Sequence, residues 1–134
     1  MLPDVTIVTP FRNPGSYFEL ALKSIFAQTL TNWELILIDD GSRDASLSFA
    51  RSLRDPRVRV FSDGRRRHQQ VRRNEAIALA SAPYIALMDA DDIMHPRLLE
   101  AQLAELRSAQ SGDAPKTTKK VAAPAAAEET PPTA

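Results

Sequence analysis

The 134-residue sequence predicts an α/β fold with a doubly wound, mostly parallel sheet, and three observations support this class. Short apolar runs alternate with segments of helical periodicity, in the order β-α-β-α-β-α-β-α. Two of the apolar runs are nearly continuous, which is typical of strands that are covered on both faces. Both of these runs end in clustered aspartates, which indicates that the carboxyl edge of the sheet carries chemistry.

The chain begins with a strand, a loop and an amphipathic helix. The strand is predicted at Val5 to Thr9, a β-branched run that is closed by Pro10. Ser16-Tyr17-Phe18-Glu19 has the pattern of a capping box at the start of a helix. Apolar residues at helical spacing extend this helix to about Leu30.

The middle of the chain supplies a buried strand, a helix and an edge strand. The run from Trp33 to Ile38 is mostly apolar and delivers Asp39-Asp40-Gly41-Ser42. Asp44 can cap a second helix, which Asp55-Pro56 ends. A short third strand, Val58 to Phe61, alternates with charge, so we expect it near an edge of the sheet.

The last two predicted helices flank the second acidic strand. A helix around Val71 to Ala80 follows an arginine-rich loop, which we expect to be solvated from Arg65 to Arg67. The fourth strand begins at Tyr84 and stops at the run Asp89-Ala90-Asp91-Asp92. Pro96 is predicted at the first position of the last helix, where a missing N–H breaks no hydrogen bond.

The composition limits the domain and excludes several classes of protein. We expect one modest globular domain over residues 1–108 and a disordered Ala/Pro/Thr-rich tail over residues 109–134, which lack apolar surface for a core. The formal net charge is zero, so no global field recruits nucleic acid. The absence of cysteine excludes disulfides and thiolate metal sites. Without a membrane span or signal peptide, we expect a cytoplasmic location.

The aspartates at the strand ends are the candidate functional residues. Asp89, Asp91 and Asp92 would repel one another unless a cation lies among them, and carboxylates are the ligands of hard divalent ions. The alternative is a solvated turn in which Asp92 caps the next helix. A second acidic strand end favours the functional interpretation, because ligands of such sheets bind outside the carboxyl ends of the strands.

Five segments in this order resemble the nucleotide-sugar-binding half of a family 2 glycosyltransferase with the Rossmann-like GT-A fold. The resemblance implies inverting transfer of a sugar from a nucleotide diphosphate donor, which we expect to be UDP-linked, with Mn²⁺ or Mg²⁺ as cofactor. The acceptor is not indicated. The segments are Val5 to Asn13, Ser24 to Thr29, Trp33 to Asp44, Arg72 to Ala76 and Tyr84 to Asp92.

The resemblance also implies a set of nucleotide contacts near the first two strands. Thr9, Phe11 and Asp40 would contact the base, with Asp40 accepting its imide N–H and Asp39 assisting. Where family members often have tyrosine this chain has Phe11, whose ring can still stack on a base. The alternative for Thr9 and Phe11 is that they end the strand and cover an edge of the core.

Further contacts are implied for the phosphates, the sugar and the metal. Asp91 would bind the metal directly, and Asp89 would contact the sugar or ribose and complete the metal site. Arg72 and Arg73 lie where the family's helix approaches the donor, and they would oppose the charge of the diphosphate.

The pattern of the family stops after the second acidic strand end. Family members continue with strands that build the acceptor pocket and supply a catalytic base, and no residue here can be assigned that role. We therefore expect a truncated domain that keeps the donor site, with an exposed sheet edge that would favour self-association. The alternative is a noncatalytic nucleotide-binding or interaction module, or an inactive fragment.

A phosphotransferase of the haloacid dehalogenase or receiver type is a further alternative. The first type needs a nucleophilic aspartate after the first strand, and here Thr9-Pro10-Phe11 occupies that position. The second type needs an aspartate at the end of the third strand, and Val58 to Phe61 ends without one. Both are therefore disfavoured.

Overall fold

Four strands and four helices alternate along the chain, in the order that the sequence predicts. The computed structural model describes residues 2–110, and none of the helices within them is long and apolar enough to cross a membrane. The predicted tail lies, from residue 111 onward, outside these residues. The strands are β1 (Val5–Phe11), β2 (Trp33–Asp39), β3 (Val58–Phe61) and β4 (Tyr84–Leu87). The helices are α1 (Tyr17–Phe26), α2 (Ser46–Arg51), α3 (Gln69–Leu79) and α4 (Leu98–Gln110).

The strands form one parallel sheet in the order β3-β2-β1-β4. Within it β3 is an edge strand, which confirms its predicted position. The chain steps from β1 through β2 to β3 in one direction and then returns to the other side of β1. Strand order therefore reverses between β1 and β4, and this is where sheets of this kind open a crevice for ligands.

Both faces of the sheet are covered, as its nearly continuous apolar strands predict. On one face, Ile7 and Phe11 of β1 pack in a core with α1, α2 and α4. On the other face, Val8 packs in a smaller core with Ala76 of α3. Because successive side chains of a strand point to opposite faces, the position of a residue in β1 decides which core it joins.

The first strand continues through Pro10 to Phe11, whereas the sequence pattern predicts that it stops at Thr9. The carbonyl of Val8 accepts a hydrogen bond from Met88 on the β4 side, and the carbonyl of Phe11 accepts one from Asp40 on the β2 side. Pro10 therefore faces the β4 side, beyond Leu87, where the pairing with β4 has ended. A proline is tolerated there because no ladder donor is lost.

The predicted capping box at the start of α1 does not form. Ser16 has a helical backbone, with φ of −67° and ψ of −19°, and its side chain makes no capping hydrogen bond. In that conformation the residue already belongs to the turn of the helix, whereas a capping residue is normally extended. The helix ends at Phe26, four residues before the predicted Leu30.

The last helix begins and ends later in the chain than the sequence predicts. It begins at Leu98, so Pro96 lies in the preceding turn and not at the first helical position. It continues to Gln110, two residues past the predicted domain boundary at residue 108. The hydroxyl of Tyr84 donates a hydrogen bond to the side chain of Gln110, which fastens this end of the helix to β4.

Gln28 joins the end of α1 to the segment that leads from the acidic run into α4. Its side chain is buried and donates to the carbonyl of His95 at 2.7 Å, while its Oε1 accepts from the backbone N–H of Leu99 at 3.1 Å. Two neighbours add the bonds Met94 N to Ser24 Oγ at 3.0 Å and Thr29 N to the carbonyl of Pro96 at 2.9 Å. The segment Ser24 to Thr29 is therefore a clamp that fixes the chain just after the aspartates.

The substitution Gln28→Ala is expected to lower the free energy of unfolding by about 1–3 kcal/mol, because the buried N–H of Leu99 loses its acceptor. Urea unfolding followed by circular dichroism measures this change. The control is Gln70→Ala, which truncates an exposed glutamine of α3. Equal free energies of unfolding for the two variants would contradict the stabilising role of the Gln28 hydrogen bonds.

Candidate functional site

A crevice of about 490 Å³ opens outside the carboxyl ends of β1 and β4. This volume lies within the range of about 300–1,000 Å³ that ligand pockets occupy. Asp40 lines it at the end of β2, Asp89 and Asp91 line it at the end of β4, and Gln69 lines it from the start of α3. The structure therefore brings the two acidic strand ends together, while the roles of these residues stay predictions.

The aspartates after β4 form a compact group of oxygen ligands. Carboxylate oxygens of Asp89, Asp91 and Asp92 all lie within 4.8 Å of one another. Asp89 and Asp91 are exposed, and Oδ1 of Asp89 accepts a hydrogen bond from Nε2 of Gln69 at 3.2 Å. Hard oxygen ligands at this spacing suit a divalent ion such as Mg²⁺ or Mn²⁺. The donor set present in the chain therefore fits the predicted metal.

Asp40 is buried at the floor of the crevice, with 4% of its surface exposed. Its Oδ1 accepts hydrogen bonds from the backbone N–H of Arg67 at 2.6 Å and from Nε of Arg72 at 3.3 Å. These bonds compensate for the burial of a carboxylate and fix the plane of its side chain. Asp40 is thus held rigidly at the site.

Arg72 does not line the crevice, and the role opposite a diphosphate that the resemblance implies for it stays a prediction. Its side chain is 3% exposed and pairs with Asp40, with Asp63 at 2.6 Å and with Glu75 at 2.9 Å. A guanidinium is buried only where carboxylates surround it, and here they engage all of its nitrogens. Arg73 is half-buried and does not line the crevice either.

The ion pair between Arg72 and Asp63 shifts the titration of both groups. The side-chain hydrogen bond from Arg72 lowers the pKa of Asp63 from 3.8 to about 2. Burial by itself lowers the pKa of Arg72, but the hydrogen bonds to Asp63 and Glu75 outweigh it and raise that pKa. Both groups therefore remain charged across the range in which proteins are usually studied.

A native pKa below the unfolded one means that the Asp63 carboxylate stabilises the fold above pH 3.8 and that this contribution is lost as the pH falls towards 2. Wild type should therefore be more stable than Asp63→Asn at neutral pH, and the difference should shrink between about pH 4 and about pH 2. Urea midpoints measured across this range test the expectation. A difference that does not change with pH would contradict it.

The side chains of Thr9 and Phe11 belong to the core. Thr9 is 1% exposed, and its Oγ1 has no hydrogen-bond partner within residues 2–110. The ring of Phe11 stacks on Phe18 of α1, with ring centroids 4.7 Å apart, and is 2% exposed. Their odd positions in β1 turn both towards the α1 face of the sheet. Phe11 also lines the crevice, whereas Thr9 does not. The arrangement fits the alternative in which both cover an edge of the core, and their contacts with a base stay predictions.

Asp39 also has a structural environment. It is 1% exposed and does not line the crevice. Its Oδ1 accepts from the backbone N–H of Ser42 at 2.9 Å, and its Oδ2 accepts from the hydroxyl of Ser62 at 2.8 Å. Asp39 therefore ties the turn after β2 to the end of β3. The assistance in binding the base that the resemblance implies for it stays a prediction.

Several side chains that line the crevice, among them Gln69, Arg12 and Tyr17, are not predicted from the sequence. Arg12 is exposed and lies outside the ion pairs found within residues 2–110. Tyr17, the first residue of α1, is 62% exposed. The available signal for Arg12 and Tyr17 was their place after β1, because residues that follow a strand at the switch point line the ligand site.

The loop that carries these residues is fastened to the loop after β2. The Asn13 side chain accepts from the backbone N–H groups of Arg43 and Asp44, at 2.6 and 3.2 Å. The backbone N–H of Asn13 donates to Oγ of Ser42 at 3.0 Å. Asn13 has a positive φ of 49°, which asparagine tolerates better than most residues. The rim of the crevice is therefore held by contacts between the two loops.

The chain belongs to glycosyl transferase family 2, whose sequence model matches residues 6–117. It is 35% identical over 98 residues to the glycosyltransferase GlyG of Streptococcus pneumoniae. The matched region covers 72% of this chain and 33% of GlyG, so the chain spans about a third of that relative. The family predicted from the motifs is thereby confirmed.

Solved structures confirm the predicted GT-A type of α/β fold. TarS 1-349 of S. aureus, in complex with UDP-GlcNAc, matches with a TM-score of 0.71 and 21% identity over 78% of this chain and 31% of the 1-349 chain. The mannosyltransferase PcManGT of Pyrobaculum calidifontis, in complex with GDP-Man and Mn²⁺, matches with a TM-score of 0.67 and 24% identity over 75% of this chain and 31% of PcManGT. At these identities the likeness concerns the fold.

Proposed function

We propose that the crevice binds the nucleotide diphosphate part of a sugar donor. We also propose that the reaction for which this donor site serves is inverting transfer of the sugar, as the resemblance implies. The observation that carries this proposal is the placement of Asp40 and the Asp89–Asp91 pair on either side of the end of β1, in one crevice. Support also comes from family membership and from two neighbours in fold that were solved with UDP-GlcNAc and with GDP-Man.

Asp40 would recognise the base. Within residues 2–110, the side-chain hydrogen bonds of Asp40 are accepted by Oδ1, so Oδ2 is the atom that can accept the imide N–H of uracil. The low exposure of Asp40 strengthens such a bond, because little water competes for the carboxylate. Such an acceptor fits uracil, and we propose the UDP-linked donor that the resemblance implies.

Asp89, Asp91 and Asp92 would hold Mn²⁺ or Mg²⁺, which when bound would neutralise the charge of the departing diphosphate. Gln69 orients Asp89 through its hydrogen bond. Arg12 is the cation that the crevice wall offers to the phosphates, in the role that the resemblance implies for Arg72 and Arg73. Tyr17 offers an exposed ring at the same wall.

Asp91→Asn is expected to remove the strengthening of UDP binding by Mn²⁺, because a charged oxygen ligand of a hard cation is replaced by a neutral one. Folding should be unchanged or slightly improved, since repulsion among the carboxylates falls. Calorimetric titration with UDP, with and without Mn²⁺, measures the effect. Glu105→Gln, an exposed carboxylate of α4, is the matched control. Equal UDP affinity of wild type and Asp91→Asn at saturating Mn²⁺ would refute the metal assignment.

The 134-residue chain is expected to bind UDP with Mn²⁺ and to transfer no sugar. Inverting transfer needs a base placed against the acceptor hydroxyl. Among the carboxylates that line the crevice in residues 2–110, Asp40 is held by Arg67 and Arg72, while Asp89 and Asp91 are assigned to the cation. Calorimetry with UDP and Mn²⁺ tests the expected binding, and a product assay with a labelled UDP-sugar tests the expected absence of transfer. Robust turnover would contradict this expectation, and no binding at millimolar UDP would contradict the proposed function.

A further inference from the structure

Arg72 is one of the few charged side chains in the interior of the described domain. It lies in the first half of α3 and is 3% exposed, less than any of the carboxylates that surround it. Removing a guanidinium from water is unfavourable unless every donor finds a partner. The hydrogen bonds that Arg72 makes therefore indicate its role in the fold.

The guanidinium joins the residue after β2 to α3 and to the loop before α3. Its Nε reaches Asp40 after β2, and its Nη1 reaches Glu75 one turn along α3 at 2.9 Å. Its Nη2 donates to Asp63 at 2.6 Å and to the carbonyl of Arg65 at 2.5 Å, both in the loop before α3. A planar fork can make these bonds at once, whereas the single nitrogen of a lysine cannot reproduce the geometry.

The loop from Asp63 to Arg67 is brought onto Asp40 by the same contacts. The backbone N–H of Arg67 donates to Oδ1 of Asp40, the oxygen that also accepts from Arg72. Gly41 lies against this loop, and a Cβ at Gly41 would stand 3.0 Å from the backbone nitrogen of Arg66. Asp40 is therefore clamped between a side chain of α3 and the backbone of the loop.

We infer that Arg72 is a positioning residue, which orients the Asp40 carboxylate so that the crevice selects a base carrying an N–H at its hydrogen-bonding edge. With Oδ1 occupied by two donors, Oδ2 is presented as an acceptor. Uracil offers an N–H to such an acceptor, while cytosine offers a lone pair, which a carboxylate repels. A carboxylate free to rotate would lose much of this discrimination. This inference rests on the proposed nucleotide site.

The experiment compares the affinities of UDP and CDP, each with Mn²⁺, by calorimetry on the full chain. Wild type should bind UDP at least about tenfold more tightly than CDP, since a site that pairs with an N–H rejects an analogue lacking it. Arg72→Lys keeps the positive charge and should bring the ratio of the two affinities close to one, chiefly by weakening UDP. Asp63→Asn, which removes the exposed anchor of Arg72, should lower the ratio by a smaller factor.

The control is Arg57→Lys, because Arg57 forms a comparable pair of hydrogen bonds with Asp55, at 2.8 and 3.1 Å. Arg57 lies just before the amino end of β3, whereas the crevice lies outside the carboxyl ends of the strands. This variant should lose thermal stability without changing the ratio of UDP and CDP affinities. A change in the ratio that occurs in Arg72→Lys and not in Arg57→Lys is therefore due to positioning of Asp40 and not to general destabilisation.

Three results would count against the inference. An unchanged ratio in a folded Arg72→Lys variant would overturn the role of Arg72 while leaving the nucleotide site intact. If Arg72→Lys does not fold, an unchanged ratio in Asp63→Asn has the same meaning. Equal affinities of wild type for UDP and CDP would overturn both the inference and the proposed role of Asp40.

Discussion

Strand β1 lies between β2 and β4, all three strands are parallel, and this placement determines where the acidic runs lie. The register sets Phe11 opposite Asp39 and Val8 opposite Leu87, so the acidic runs that follow β2 and β4 emerge at one edge. They flank the end of a strand that cannot shift, because a shift of one residue would turn its apolar side chains away from their cores. The crevice is thus a consequence of strand order, and the chemistry of its walls comes from the residues just after the strands.

The structure treats its two acidic strand ends in different ways. Asp39 and Asp40 are buried, and each is compensated by hydrogen bonds from neighbouring loops or from Arg72. Asp89 and Asp91 are exposed and take part in no ion pair within residues 2–110. Rigid, satisfied acids suit the recognition of a base, while clustered, exposed acids suit the binding of a cation.

Several residues within the family-like segments have contacts that support the fold. Gln28 belongs to a segment that resembles the family, and its role here is to fasten the chain after the aspartates to α1. Gly41 follows the acidic pair, has a φ of +77° and leaves room for the backbone of the arginine-rich loop. Segments that match a family can therefore identify it correctly although some residues within them stabilise the fold around the site.

The order of the elements, the class of the sheet and the acidic character of its carboxyl edge could be predicted from the sequence. These features follow from local periodicity and from the residues that end each strand, so they are visible without the fold. Long-range packing, in contrast, buries Thr9 and stacks the ring of Phe11 on Phe18. It also buries Arg72 against carboxylates and places Arg12 and Tyr17 beside Phe11 in the lining of the crevice. The contact of Arg72 with Asp40 spans 32 positions and that of Gln28 with Leu99 spans 71. Partners so distant in the chain leave no periodic signal, because packing of the whole sheet and its helices brings them together.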